Sequence, residues 1–93
     1  MQLFSWLNRP KKERILVSIS KSEVLNHNTL EDCWVIIDNL VYDITEFTKY
    51  HPGNKNIFKE WAGKDVTQVF YKVHPYVNYK EFLKYEQVGY LVN

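Results

Sequence analysis

At 93 residues the chain is a single domain with little apolar area to spare, and its 45% hydrophobic and 16% aromatic content is that of a folded protein. A formal net charge of +1 gives no general electrostatic case for nucleic acid, and a lone cysteine, Cys33, excludes an intrachain disulfide, a Cys-x-x-Cys redox pair and a Cys-x-x-Cys-His covalent cofactor attachment. No run reaches the length of a membrane-spanning helix and the apolar start MQLFSWL lacks the basic lead-in of a signal peptide, so a soluble, cytoplasmic protein is expected.

Residues 1–14 read as an arm ahead of a domain over 15–93. The arm has an apolar head, Leu3, Phe4, Trp6 and Leu7, and a basic tail, Arg9, Lys11, Lys12 and Arg14. Such an arm either makes a weak membrane-surface contact, or frays or packs over the domain. The second reading is preferred, because so short an apolar stretch supplies little anchoring energy.

Leu16–Ile19 predicts a short strand. Ser20 then starts a helix, with Glu23 completing a capping-box pattern, and Asn26-His27-Asn28 ends it in a polar turn that leaves His27 solvated. Cys33–Ile37 is a β-branched and aromatic strand, Asp38-Asn39 a turn, and Leu40–Asp43 the returning half of a hairpin.

From Thr45 the period becomes helical. Thr45 is expected to cap a helix in which Phe47 and His51 stand four apart on one face, and Pro52-Gly53 breaks the chain, with Asn54 suited to unusual backbone. Ile57, Phe58, Trp61 and Ala62 follow helical spacing up to Gly63. Asp65 caps a further helix carrying Val66, Val69 and Phe70, and His74-Pro75 breaks the chain again. A last helix is expected over Asn78–Glu86, with Tyr79, Phe82 and Leu83 inward, before a closing strand, Val88–Leu91. Strands at both ends and in one hairpin, around several short helices, make an α+β pattern.

His51 and His74 each end a short helix and each precede a proline, so each ring is held at a corner. Two imidazoles on opposite walls of a slot can ligate both faces of a haem iron, with Phe47, Phe58 and Phe70 supplying apolar edges. Spacing alone leaves alternatives open. On spacing alone such a pair is more often ordinary helix-end histidines beside ordinary core aromatics. A zinc site from His51, His74 and Cys33 or His27 lacks a compact ligand pair.

Asp38 to Gly53, DNLVYDITEFTKYHPG, closely resembles the haem-binding signature of the cytochrome b5 family. The resemblance extends through Trp34-Val35-Ile36-Ile37, through Ala62-Gly63-Lys64-Asp65-Val66-Thr67 and Phe70 to His74, and through Val88-Gly89-Tyr90-Leu91. It implies a small mixed sheet with two pairs of short helices forming a haem slot. It implies haem b, iron protoporphyrin IX, held without covalent links, with His51 and His74 as axial ligands. Phe47 and Phe70 match aromatic pocket positions, Val35, Ile37 and Ile44 match apolar walls, and Phe58 and Phe82 fall where further apolar contacts lie. Trp34 matches a tryptophan of the fold rather than of the site.

The chain departs from the family at Asn54, which replaces the usual second glycine. It has one residue fewer between the histidines, apparently lost just before His74, and it has Pro75 where some members offer a serine to a propionate. Lys55, Lys59, Lys64 and Lys72 outnumber Glu60 and Asp65 between the histidines, where family members often place acidic residues around the haem edge.

The function implied is that of a monomeric one-electron carrier, not an enzyme, between a reductase and an oxidase, desaturase or hydroxylase. The alternative is a non-catalytic ligand-binding or interaction module of the same superfamily, related to the progesterone-receptor branch, whose members lack the two histidines.

Overall fold

The computed structural model describes residues 2–51 and 55–92. Pro52, Gly53 and Asn54, where the Pro-Gly break and the glycine replacement were expected, lie outside the described residues.

The chain opens with a short helix, α1 (Gln2–Leu7), followed by strand β1 (Val17–Ser20) and helix α2 (Lys21–Leu25). Then come β2 (Asn28–Thr29), β3 (Asp32–Ile37) and β4 (Leu40–Asp43). Four short helices follow, α3 (Thr45–Tyr50), α4 (Asn56–Trp61), α5 (Thr67–Val73) and α6 (Tyr79–Phe82). A 3-10 turn, Lys84–Glu86, leads into β5 (Gln87–Val92). The expected single helix over Asn78–Glu86 is therefore broken. Leu83, at φ −112° and ψ 24°, leaves helical geometry, and the tighter turn that follows carries Glu86 inward.

The strands form one mixed sheet in the order β1-β5-β4-β3-β2, parallel between β1 and β5 and antiparallel elsewhere. The β3–β4 hairpin turns on Asp38 and Asn39, with φ of 53° and 64°. Positive φ at both central residues is the turn whose twist matches paired strands, and Asp and Asn tolerate it best after glycine.

The apolar run Cys33–Ile37 follows from β3 being covered on both faces. Successive side chains point to opposite faces. Cys33, Val35 and Ile37 join a large core with Ile44, Phe58, Val66, Phe70, Tyr79 and Leu83. Ile36 joins Ile19, Val24 and Val41 in a second, smaller core, with Trp34 packed against it. Alternation would have left one face polar; none of these five residues is exposed.

Helix α2 starts as its sequence directs, with the Ser20 hydroxyl accepting from the Glu23 N–H at 3.1 Å. Only half of the capping box forms, because the Glu23 carboxylate turns to His27. His27 is half-buried rather than solvated. Its ring stacks on Trp34, with centroids 3.6 Å apart, and its two nitrogens meet Asp32 at 2.7 Å and Glu23 at 2.8 Å.

The arm packs onto the domain. Trp6 is fully buried within the large core, so one aromatic residue on which a membrane contact would draw is already committed, while the side chains of Leu3 and Phe4 lie outside the described residues. Among the described residues no helix is long and apolar enough to cross a membrane.

Candidate functional site

Two stretches of sequence, Asp43-Ile44-Thr45 and Asp65-Val66-Thr67, start the two helices that end in histidine. At each, the aspartate Oδ1 accepts from the threonine backbone N–H (3.1 and 3.0 Å) and from the threonine hydroxyl (2.6 and 2.7 Å). Thr45 is thus the first residue of α3 rather than its cap: Ile44 stands at the N-cap with no side-chain cap bond, and Asp43, one residue earlier, accepts the Thr45 N–H. Thr45 Oγ1 is otherwise engaged, accepting from the buried Cys33 N–H at 2.9 Å. Thr67 Oγ1 likewise accepts from the Asp38 N–H at 2.9 Å.

The helices also end alike. His51 is the C-cap of α3 and its N–H donates to the Phe47 carbonyl at 3.1 Å; His74 is the C-cap of α5 and its N–H donates to the Phe70 carbonyl at 2.8 Å. A phenylalanine thus stands four residues before each histidine and packs on its ring, at 5.7 Å for Phe47–His51 and 5.5 Å for Phe70–His74. Both histidine side chains are half-buried.

Around His51 the structure gathers Phe58, edge-on at 5.0 Å, and Phe47, which lies 6.1 Å from Phe58 and 5.7 Å from Phe82. Around Phe70 it gathers Tyr79 at 5.7 Å and Tyr71 at 6.3 Å. Val35, Ile37, Ile44, Phe58 and Phe70 all belong to the large core, with Phe47 and Phe82 packed against it. All seven apolar residues expected at the site therefore share one contiguous apolar body.

Other participants were not foreseen at the site. Trp6 and Tyr50 pack on the α3 side, Trp6 at 5.1 Å from Phe47 and 5.7 Å from Tyr50. On the α5 side, Tyr79 and Tyr71 both donate their hydroxyls to Asp38 Oδ2. Those bonds hold the Asp38 carboxyl below its ordinary pKa, and burial followed by the Asp38 bond raises that of Tyr79. The helical position of Tyr79 was legible; its partner across the sheet was not.

The donor chemistry bears on what the site can hold. Among the described residues no three His, Cys, Asp or Glu side chains converge as a metal cluster. Cys33 is buried inside the large core, and burial pushes its thiol up to about 12. A zinc site from His51, His74 and Cys33 or His27 thus lacks its third ligand. Two imidazoles flanked by phenylalanines suit a flat apolar ring with a metal at its centre.

Residues 20–92 match the family described as the cytochrome b5-like haem/steroid binding domain. The chain is 40% identical over 74 residues to cytochrome b5 reductase 4 of Xenopus tropicalis, covering 80% of this chain and 14% of that protein. It is 46% identical over 67 residues to L-lactate dehydrogenase (cytochrome) of Saccharomyces cerevisiae, covering 72% of this chain and 11% of that one. It therefore spans only a small part of the length of these two relatives. Among solved structures, the cytochrome b5 of Ostreococcus tauri virus 2 superposes with a TM-score of 0.71 at 43% identity, covering 80% of this chain and 95% of that one. On sequence and fold together, the chain belongs to the cytochrome b5-like haem/steroid-binding domain family.

Proposed function

We propose that this chain is a haem b protein with His51 and His74 as axial ligands, carrying one electron at a time between a reductase and an acceptor enzyme. The observation that carries the reading is the repeated unit of α3 and α5: a short helix opened by an Asp-x-Thr turn, a phenylalanine, and a half-buried histidine four residues on at the C-cap. Bound there, the haem iron supplies a change of oxidation state by one electron. The rest is the work of the chain. His51 and His74 would hold the iron from two sides and would leave no position on it for oxygen or substrate. Phe47, Phe58, Phe70 and Phe82, with Val35, Ile37 and Ile44, exclude water from the ring edges. The carrier acts as a soluble cytoplasmic monomer, without catalysis of its own. Relatives named as a reductase and a dehydrogenase support redox enzymes as its partners.

The test is the absorption spectrum of the haem-reconstituted protein, oxidised and then reduced. A low-spin, six-coordinate spectrum in both states is expected. Colourless protein would overturn the reading in favour of a ligand-binding or interaction module of the same superfamily. His51→Ala and His74→Ala should each weaken haem retention and open a coordination site. If either leaves the low-spin spectrum intact, that ligand assignment is wrong.

A further inference from the structure

The match to the family begins at residue 20, so the arm lies outside it. The arm nevertheless supplies a fully buried tryptophan to the domain core. Helix α1 packs along α3, and Trp6 meets Phe47 and Tyr50, both on the helix that ends in His51. Trp6 also lies 6.4 Å from Phe82.

Arg9 fastens this contact. Its guanidinium sits 3.8 Å from the Trp6 ring centroid and donates to the Trp6 carbonyl at 2.8 Å. Its Nε and Nη2 donate to the two oxygens of Glu86 at 2.9 and 2.8 Å. The Trp6 Nε1–H and Arg9 Nη2 both reach the Phe82 carbonyl at 3.4 Å. The side chains of Arg9 and Glu86 are only 7% and 10% exposed. A bidentate, desolvated pair fixes orientation as well as contact, which mere covering of apolar surface does not need. The arm is tied to the 3-10 turn at Glu86 while its tryptophan bears on α3.

We propose that residues 2–14 form a strap that sets the position of α3, with Trp6 and Arg9 as positioning residues for His51. The consequence for the cofactor rests on the haem reading; the mechanical effect on α3 does not.

The experiment uses the full chain and compares Arg9→Met, Arg9→Lys, the reversed pair R9E/E86R, and a control, Val24→Ala, in the second core. Two quantities are read: hydrogen exchange at the Thr48 and His51 amides, which bond to Ile44 and Phe47, and the rate of haem transfer to excess apomyoglobin. Arg9→Met should speed both by about tenfold, in line with the loss of other groups that orient metal ligands. The low-spin electron paramagnetic resonance signal, which reports axial ring orientation, should shift with them. Arg9→Lys keeps the charge but loses the fork; it should fall between, and it decides the matter if Arg9→Met does not fold. The reversed pair should recover most of the loss. Wild-type exchange and transfer rates in both Arg9 variants overturn the strap. So does a Val24→Ala control that loosens α3 equally. If the wild-type chain takes up no haem, the haem reading falls, and amide exchange alone still decides the strap.

Discussion

Thr45 and Thr67 hang the two histidine-bearing helices from the two ends of one strand. Each hydroxyl donates to the aspartate two residues before it and accepts a backbone N–H, from Cys33 near the start of β3 or from Asp38 just past its end. Those two anchor points lie roughly 16 Å apart along an extended chain. The strand is thus a ruler that sets the spacing of α3 and α5.

Removing the hydroxyls should not cost the same at the two ends. Thr45→Val leaves the N–H of the buried Cys33 without an acceptor, an expected loss of about 1–3 kcal/mol. Thr67→Val frees the N–H of exposed Asp38, where water can substitute, so the loss should stay below about 1 kcal/mol. Urea denaturation of both variants measures the difference. Equal losses would show that the strand ends are equally wet.

His27 should make stability depend on pH. Burial pulls its pKa down, but the bonds and charges of Asp32 and Glu23 outweigh that and leave it raised above its ordinary value of 6.5. A group with a raised folded pKa adds stability that is complete below the unfolded value and fades as pH rises through the folded one. The melting temperature of wild type should therefore exceed that of His27→Gln most at pH 6, and the gap should narrow above pH 6.5. A gap that does not change with pH would mean that stacking on Trp34 alone carries the contribution.

Gly89 should not accept a side chain. A Cβ there would stand 2.0 Å from the Val17 carbonyl oxygen, across the parallel β1–β5 pair, and 2.8 Å from Ile19 Cδ1. The clash is with backbone, so no rotamer relieves it. Gly89→Ala should cost about 1–3 kcal/mol or more and speed amide exchange along β1 selectively. Thermal melts and exchange read both, and uniform exchange across the sheet would argue against a local clash.

Under the proposed carrier function, the charge between the two histidines should shape docking. Lys55, Lys59, Lys64 and Lys72 are all exposed, against exposed Glu60 and Asp65. A basic partner such as cytochrome c should associate more slowly than with an acidic member, and its rate should fall less steeply with added salt. Stopped-flow rates over a series of ionic strengths measure both, and rates and slopes matching the acidic members would refute the expectation.

Much of this architecture was legible in the sequence because its causes are local. Asp38-Asn39 announces the hairpin by residue type alone, and the Phe-to-His spacing of α3 and α5 follows from helical period. What escaped depends on partners far along the chain. No periodicity pairs Trp6 with Phe47, and Glu86 reads as an ordinary surface carboxylate until Arg9 is found across from it. Asp38 reads only as a turn former, although it also receives two tyrosine hydroxyls. His27 looked solvated because its neighbours are polar; those same neighbours, with Trp34, hold it.

The tie between Arg9 and Glu86 spans 77 positions, and this separation orders events during folding. The hairpin and the short helices close over small loops, whose entropic cost is low and whose formation is fast. Glu86, the carboxylate partner of Arg9, lies in the segment that follows α6, so this tie waits until that segment is in place. The arm should therefore dock late, giving a period in which α3 is formed but not yet braced. Cofactor arriving in that interval would meet a more yielding wall than the finished protein presents.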